Sequence, residues 1–146
     1  GTGKYYLSGV RYEPTGDTNK IYELNGTALR LIAMTRGENA SVNEIAGKVY
    51  IVIGHKIYGY INDSLIVWKD LANTGFIEKM WGRSWKDFFS VASGGVGHYN
   101  GTDFQILFHA DAHIYDMIIF EREVFVVCND RQMDIPIVIQ GTLKGD

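Results

Sequence analysis

The residues best suited to chemistry lie in HADAHIYD, His109 to Asp116. His109, Asp111 and His113 occupy every second position, so an extended segment would set all three on one face. Two imidazoles and a carboxylate are suitable ligands for zinc or another divalent transition metal. The pattern is short and has no second coordinating cluster near it, so the plainer reading is an exposed, hydrogen-bonded polar loop between strands. A second group is WGRSW, Trp81 to Trp85. There two indoles flank Arg83 and offer flat faces to a sugar ring or another planar ligand. The competing reading packs Trp81 between neighbouring sheets. His98, in GHYNG, needs a nucleophile or carboxylate within reach to act as a catalyst; otherwise it supports a strand end and its turn. Asn43, Glu44, Glu78, Lys79 and Asp116 fall on predicted inner strands, where carboxylates could bind a cation or form an acid–base pair.

Strands must position all of these side chains. From Glu78 to Phe108 the chain reads as strand, turn, strand Asp87–Ala92, Gly94-Gly95 turn, strand ending at His98-Tyr99, Asn100-Gly101 turn, and strand Phe104–Phe108. That is the grammar of an antiparallel meander. Weaker copies surround it. Segments IYELNGT, YGYINDS, VGHYNGT and PIVIQGT each end in a turn-like pair, beginning at Asn25, Asn62, Asn100 and Gln140. The strands KYYLSG, KVYIVIG, DFFSVASG and EVFVVCND bring Tyr6, Tyr50, Phe89 and Phe125 into alignment. Counting back from the turns puts Glu23, Tyr60 and Val138 at the position of His98. Short inner strands VNEIAG, IEKMWG and YDMIIF precede three units, and outer strands ALRLIAM, SLIVWKD and DFQILFH close three. Four strands repeating every 40 or so residues is the period of a β-propeller blade. No sustained helical stripe of apolar residues interrupts the pattern.

Composition narrows the function classes. At 146 residues, 46% hydrophobic and 21% charged, the chain can fill a core. A net charge of −3 with no basic block argues against a nucleic-acid partner. No apolar run is long enough to span a membrane. The single cysteine, Cys128, excludes an intrachain disulfide framework and a multi-cysteine metal site, and its apolar strand predicts a buried thiol. Three of the four Asn-x-Ser/Thr triplets, at Asn25, Asn39, Asn62 and Asn100, coincide with predicted turns. Phosphate-loop, GxSxG, HExxH and EF-hand signatures are absent, and no cofactor is indicated.

The stretch WGRSWKDFFSVASGGVGHYNGTDFQ resembles the blade repeat of a family of bacterial β-propeller proteins, many of them exported or envelope-associated. The matching residues are Trp81, Gly82, Ser84, Asp87, Phe89, Val91, Gly95, His98, Tyr99, Asn100, Gly101 and Phe104. The match covers about a quarter of the chain strongly and the other units weakly. The resemblance implies a propeller fold and an export route to the periplasm, cell surface or exterior. It implies no activity, because propellers host binding modules and enzymes alike.

The expectation is therefore an all-β protein of four-stranded antiparallel blades, in units 1–41, 42–76, 77–113 and 114–146. The first unit opens at its second strand and the last stops short of its fourth, which amounts to three and a half to four blades. The chain is then one propeller domain or the C-terminal part of a larger one, an assignment that the ending VIQGTLKGD suits. A second copy or another chain segment completing the ring is the further option, and a fragment or assembled ring is favoured over a closed four-bladed monomer. The leading function is a non-enzymatic binding or scaffolding module for a protein or carbohydrate. The alternatives are a glycan-active enzyme with a rim site at His109, Asp111 and His113, and an oligomer-building structural protein.

Overall fold

The computed structural model describes residues 3–109 and 112–142, the side chains of Ile77 and Glu78 excepted. The described residues are all-β. Sheet 1 comprises β1 (Lys4–Arg11), β2 (Thr18–Asn25) and β3 (Ala28–Arg36). Sheet 2 comprises β4 (Ala40–Ile45), β5 (Lys48–Ile53), β6 (Lys56–Ile61) and β7 (Ser64–Asp70). Sheet 3 comprises β8 (Phe76–Ser84), β9 (Asp87–Ala92), β10 (Gly95–Tyr99) and β11 (Phe104–His109). Sheet 4 comprises β12 (Ala112–Ile119), β13 (Glu123–Asp130) and β14 (Pro136–Thr142). Each sheet is an antiparallel meander of consecutive strands. No helix among the described residues is long and apolar enough to cross a membrane.

Local chemistry explains the meanders. Val, Ile, Tyr and Phe dominate the strands, as suits a pleated surface. Two tight turns place both central residues at positive φ, Asn62-Asp63 with side chains that tolerate it and Ala46-Gly47 with a glycine only at the second position, the geometry that matches strand twist in a two-residue hairpin. Asn100 works differently, since its side-chain oxygen accepts hydrogen bonds from the backbone of Thr102 and Asp103 at 3.0 and 2.9 Å. Gly97 is required for another reason: a Cβ there would run into the ring of Phe104.

One expected turn is not a turn. Gln140 and Gly141 lie inside β14, paired with Phe125 and Val124. Gln140 donates to the Glu123 carboxylate at 2.7 Å, holding the strands in register. Gly141 serves close packing, because a Cβ there would come within 2.9 Å of Val124 Cγ1.

The sheets cover one another face to face in chain order. Each has a leading face, toward the next sheet, and a trailing face, toward the one before. Tyr50 and Trp68 on the leading side of sheet 2 join one buried cluster with Met80, Phe88 and Tyr99 of sheet 3. Phe89 and Val96 on the leading side of sheet 3 meet Met117 and Val126 of sheet 4. Between sheets 1 and 2, Tyr6 meets Tyr60 edge-on at 5.9 Å. The first strands also converge, β4 lying against β1 and β8, and β8 against β12. Asn43 locks one of these junctions. Its Nδ2 donates to Ser41 Oγ at 3.0 Å and its Oδ1 accepts from the Met80 backbone at 2.9 Å.

Phe88 is the fully buried hinge of the larger cluster, with ring centroids 5.0 Å from Tyr99 and 6.4 Å from Trp68. Phe88→Ala should cost about 3–5 kcal/mol, since rings on both sides cannot collapse into the void. Urea unfolding followed by tryptophan fluorescence checks this, with the midpoint falling and the slope unchanged.

Candidate functional site

An aromatic groove of about 660 Å³ runs over one end of sheet 2. Tyr6 of sheet 1 lines one side and Trp85 of sheet 3 the other, with Tyr50, Tyr60 and Trp68 of sheet 2 between them. Topology explains the convergence. The turns β4–β5, β6–β7 and β8–β9 all lie on one rim, and Lys48, Tyr60 and Trp85 sit beside them. Trp68 reaches the groove through a β-bulge: Ile57 pairs with Lys69 and Tyr58 with Val67, leaving Trp68 unpaired. A bulge re-aims a side chain in this way. Trp68 then meets Trp85 edge-on at 5.6 Å and Tyr50 at 5.5 Å. Lys86 covers one side of Trp85 at 4.7 Å, yet the indole remains 42% exposed.

A charged network borders the groove at Tyr6 and Tyr60. Glu23, buried beneath it, accepts from Lys4 at 3.1 Å and Arg30 at 3.0 Å. Arg30 crosses to sheet 2, donating to Asp63 at 2.6 Å and to the Tyr60 hydroxyl. The hydrogen bond from Arg30 holds the Asp63 carboxyl below its usual range. Burial pushes the Tyr6 and Tyr60 hydroxyls up, so both stay neutral hydrogen-bonding groups at physiological pH.

The inner-strand residues surround a separate cleft of about 340 Å³. Ser8, Asn43, Glu44, Lys79, Trp81 and Asp116 line it, so all four sheets contribute. Asn43 and Asp116 are engaged structurally: Asp116 accepts from the Trp81 indole at 2.8 Å and the Met117 backbone at 2.9 Å. Glu44 and Lys79 are exposed. The side chain of Glu78 lies outside the described residues.

WGRSW is divided between neighbours. Trp81 and Arg83 turn toward sheet 4, where Arg83 donates to the carbonyls of Phe120 and Glu121 at 2.9 and 2.7 Å. Trp85 turns toward sheet 2. The cause is the register shift between Gly82 and Ser84 at the end of β8, which places Trp85 in the turn. The two indoles therefore do not flank Arg83 as a single platform.

His98 does have a carboxylate in reach. Its Nε2 lies 2.8 Å from Asp87 Oδ1, and its ring lies 4.5 Å from Phe89. Arg83 Nε donates to the other Asp87 oxygen at 2.6 Å. Strand pairing revises its repeat equivalents. His98 pairs with Phe89, as Glu23 does with Tyr6, Gly59 with Tyr50 and Gln140 with Phe125. Counting back from the turns chose Tyr60 because the β6–β7 turn is shorter than the β10–β11 turn, and Val138 because Gln140-Gly141 is no turn at all.

His109 ends β11 and His113 lies near the start of β12, both exposed. They sit at the rim opposite the aromatic groove. His113 meets Tyr115 edge-on at 4.9 Å. Asp111 lies outside the described residues. Cys128 is buried as expected, with its thiol pushed up by burial and by Asp130. Sequence reasoning missed Tyr60 and Trp68 as groove residues. The one available signal was the crowding of aromatics in unit 2, and neither its bulge nor its neighbours has a sequence marker.

Comparison with protein-family models, curated proteins and solved structures returns no match for this chain.

The Asp87 network yields a pH test. Burial alone raises the Asp87 pKa, but hydrogen bonds from Arg83 and His98 outweigh it and hold the carboxyl below its usual range. A depressed folded value means stability present above the unfolded value of about 3.9 and lost as pH falls through the folded one. Asp87→Asn should cost about 1–3 kcal/mol at neutral pH. In urea melts across pH, the gap between wild type and variant should hold near neutrality and close at strongly acid pH.

Proposed function

We propose that this protein is a non-enzymatic binding module of β-propeller type, and that it takes a neutral glycan in the aromatic groove over sheet 2. The observation that carries the reading is the groove itself: about 660 Å³, lined by Tyr6, Tyr60, Trp68 and Trp85. That volume lies in the range of small-ligand sites. Pyranose rings present apolar C–H faces that stack on indole and phenol rings, while Tyr hydroxyls and Lys48 offer hydrogen bonds to sugar hydroxyls. The aromatic and aliphatic lining suits stacking against a sugar face.

Two further observations support the propeller reading. Four meanders follow one another in the chain and cover each other face to face. Residues from the first strands of all four sheets line one cleft, as side chains around a propeller axis would. Export to the periplasm, cell surface or exterior belongs to the same proposal and rests on the blade resemblance of Trp81–Phe104.

Titration with a panel of neutral pyranose oligosaccharides, followed by tryptophan fluorescence, tests the site. At least one member should bind with a Kd of about 1 mM or tighter. Trp85→Ala should weaken that binding about tenfold or more while leaving the unfolding midpoint nearly unchanged, because the indole is half-exposed. A panel with no binder, or a Trp85→Ala protein that binds as well as wild type, overturns the assignment.

A further inference from the structure

The two end sheets each keep one face that no other sheet covers. Equivalent positions make this plain. One residue beyond the aligned aromatics stand Leu7, Ile51, Ser90 and Val126, all on trailing faces. Ile51 and Ser90 are 0% exposed and Val126 2%, because a preceding sheet covers them, whereas Leu7 is 48% exposed. Around Leu7, the same face of sheet 1 carries Tyr5, Leu29 and Met34, each more than half exposed, and Leu31. The leading faces mirror this. Tyr50 and Phe89 are buried under the next sheet, while Phe125, their equivalent in sheet 4, lies beside Ile118 and Val138, both more than half exposed. Contiguous apolar faces of this extent are rare on monomers and mark interaction surfaces.

We infer that a second copy of this chain covers these faces head to tail, the leading face of sheet 4 in one copy docking on the trailing face of sheet 1 in the other. The occupant follows from the packing inside the chain. At each of the three internal junctions a leading face meets the trailing face of a sheet of the same kind. The only uncovered leading and trailing faces among the described residues are the two that this contact would join. Such an interface is heterologous, and a pair closes into a ring when it forms twice. The inference rests on the propeller reading and is independent of the glycan groove.

Light scattering coupled to size exclusion tests it on the 146-residue chain. Wild type should have the mass of two chains. A trailing-face variant, Leu7→Glu with Leu31→Glu, and a leading-face variant, Ile118→Glu with Val138→Glu, should each be monomeric. All four positions are exposed in a single copy, so far-UV circular dichroism should match wild type, while the urea midpoint of each variant should fall to that of unpaired chain and that of wild type should rise with protein concentration. Mixing the two variants should restore pairing, because one intact face of each remains. A dimer that survives either variant, or a mixture that stays monomeric, overturns the head-to-tail contact. So does a wild type larger than two chains. A monomeric wild type that the charges destabilise overturns it in favour of closure within one chain, keeping the propeller reading. A monomer indifferent to the charges overturns both.

Discussion

A small antiparallel sheet that is apolar on both faces cannot stand alone in water. Each sheet here has that character, and the fold is the consequence. Tyr50 and Ile51 are neighbours in β5, so they point to opposite faces, yet both are buried. Only a second and a third sheet can achieve that. At roughly 25 cal/mol per Å² of apolar surface removed from water, this mutual covering outweighs every polar contact in the molecule. Loss of one sheet would expose a face of each of its neighbours.

Polar groups then decide how the sheets are registered. Asn43 ties β4 to β8 where water is excluded, and a buried amide left without partners would be costly. Glu23 is buried but faces Lys4 and Arg30, and Arg30 carries the connection across to Asp63 of sheet 2. Asp87 does the same within sheet 3, while Arg83 reaches the β12–β13 turn. Junctions between sheets 2 and 3 and between 3 and 4 are mainly apolar. The junction between sheets 1 and 2 is more polar, and there the aromatic groove opens.

Much of the architecture was legible in the chain. The aromatic, apolar run in DFFSVA and the glycines after it located β9 to the residue, and Pro136 marked the start of β14. Local turn chemistry is strong because positive φ is tolerated by few residues. The motif Gln140-Gly141 misled for the same reason: a glycine can serve a turn or a tight contact, and only Val124 opposite it decides which. Of the candidate sites, His98 and Asp87 were both repeat residues, but the distance between them depends on β9–β10 pairing. WGRSW suggested one platform, and a register shift one residue wide divided it between two sheets.

By itself the sequence determined strand identity, strand order within each meander, the burial of Cys128 and a net charge of −3 with no basic block. These depend on side-chain type and on periods of two, which neighbours in the chain impose on one another. The tertiary structure alone decided which faces meet, that Trp68 bulges toward Trp85, that Tyr6 and Tyr60 share a groove, and that two end faces are left uncovered. Those outcomes depend on contacts between residues far apart in the chain, such as Trp68 with Trp85 and Tyr6 with Tyr60, whose geometry is set by sheet twist and register.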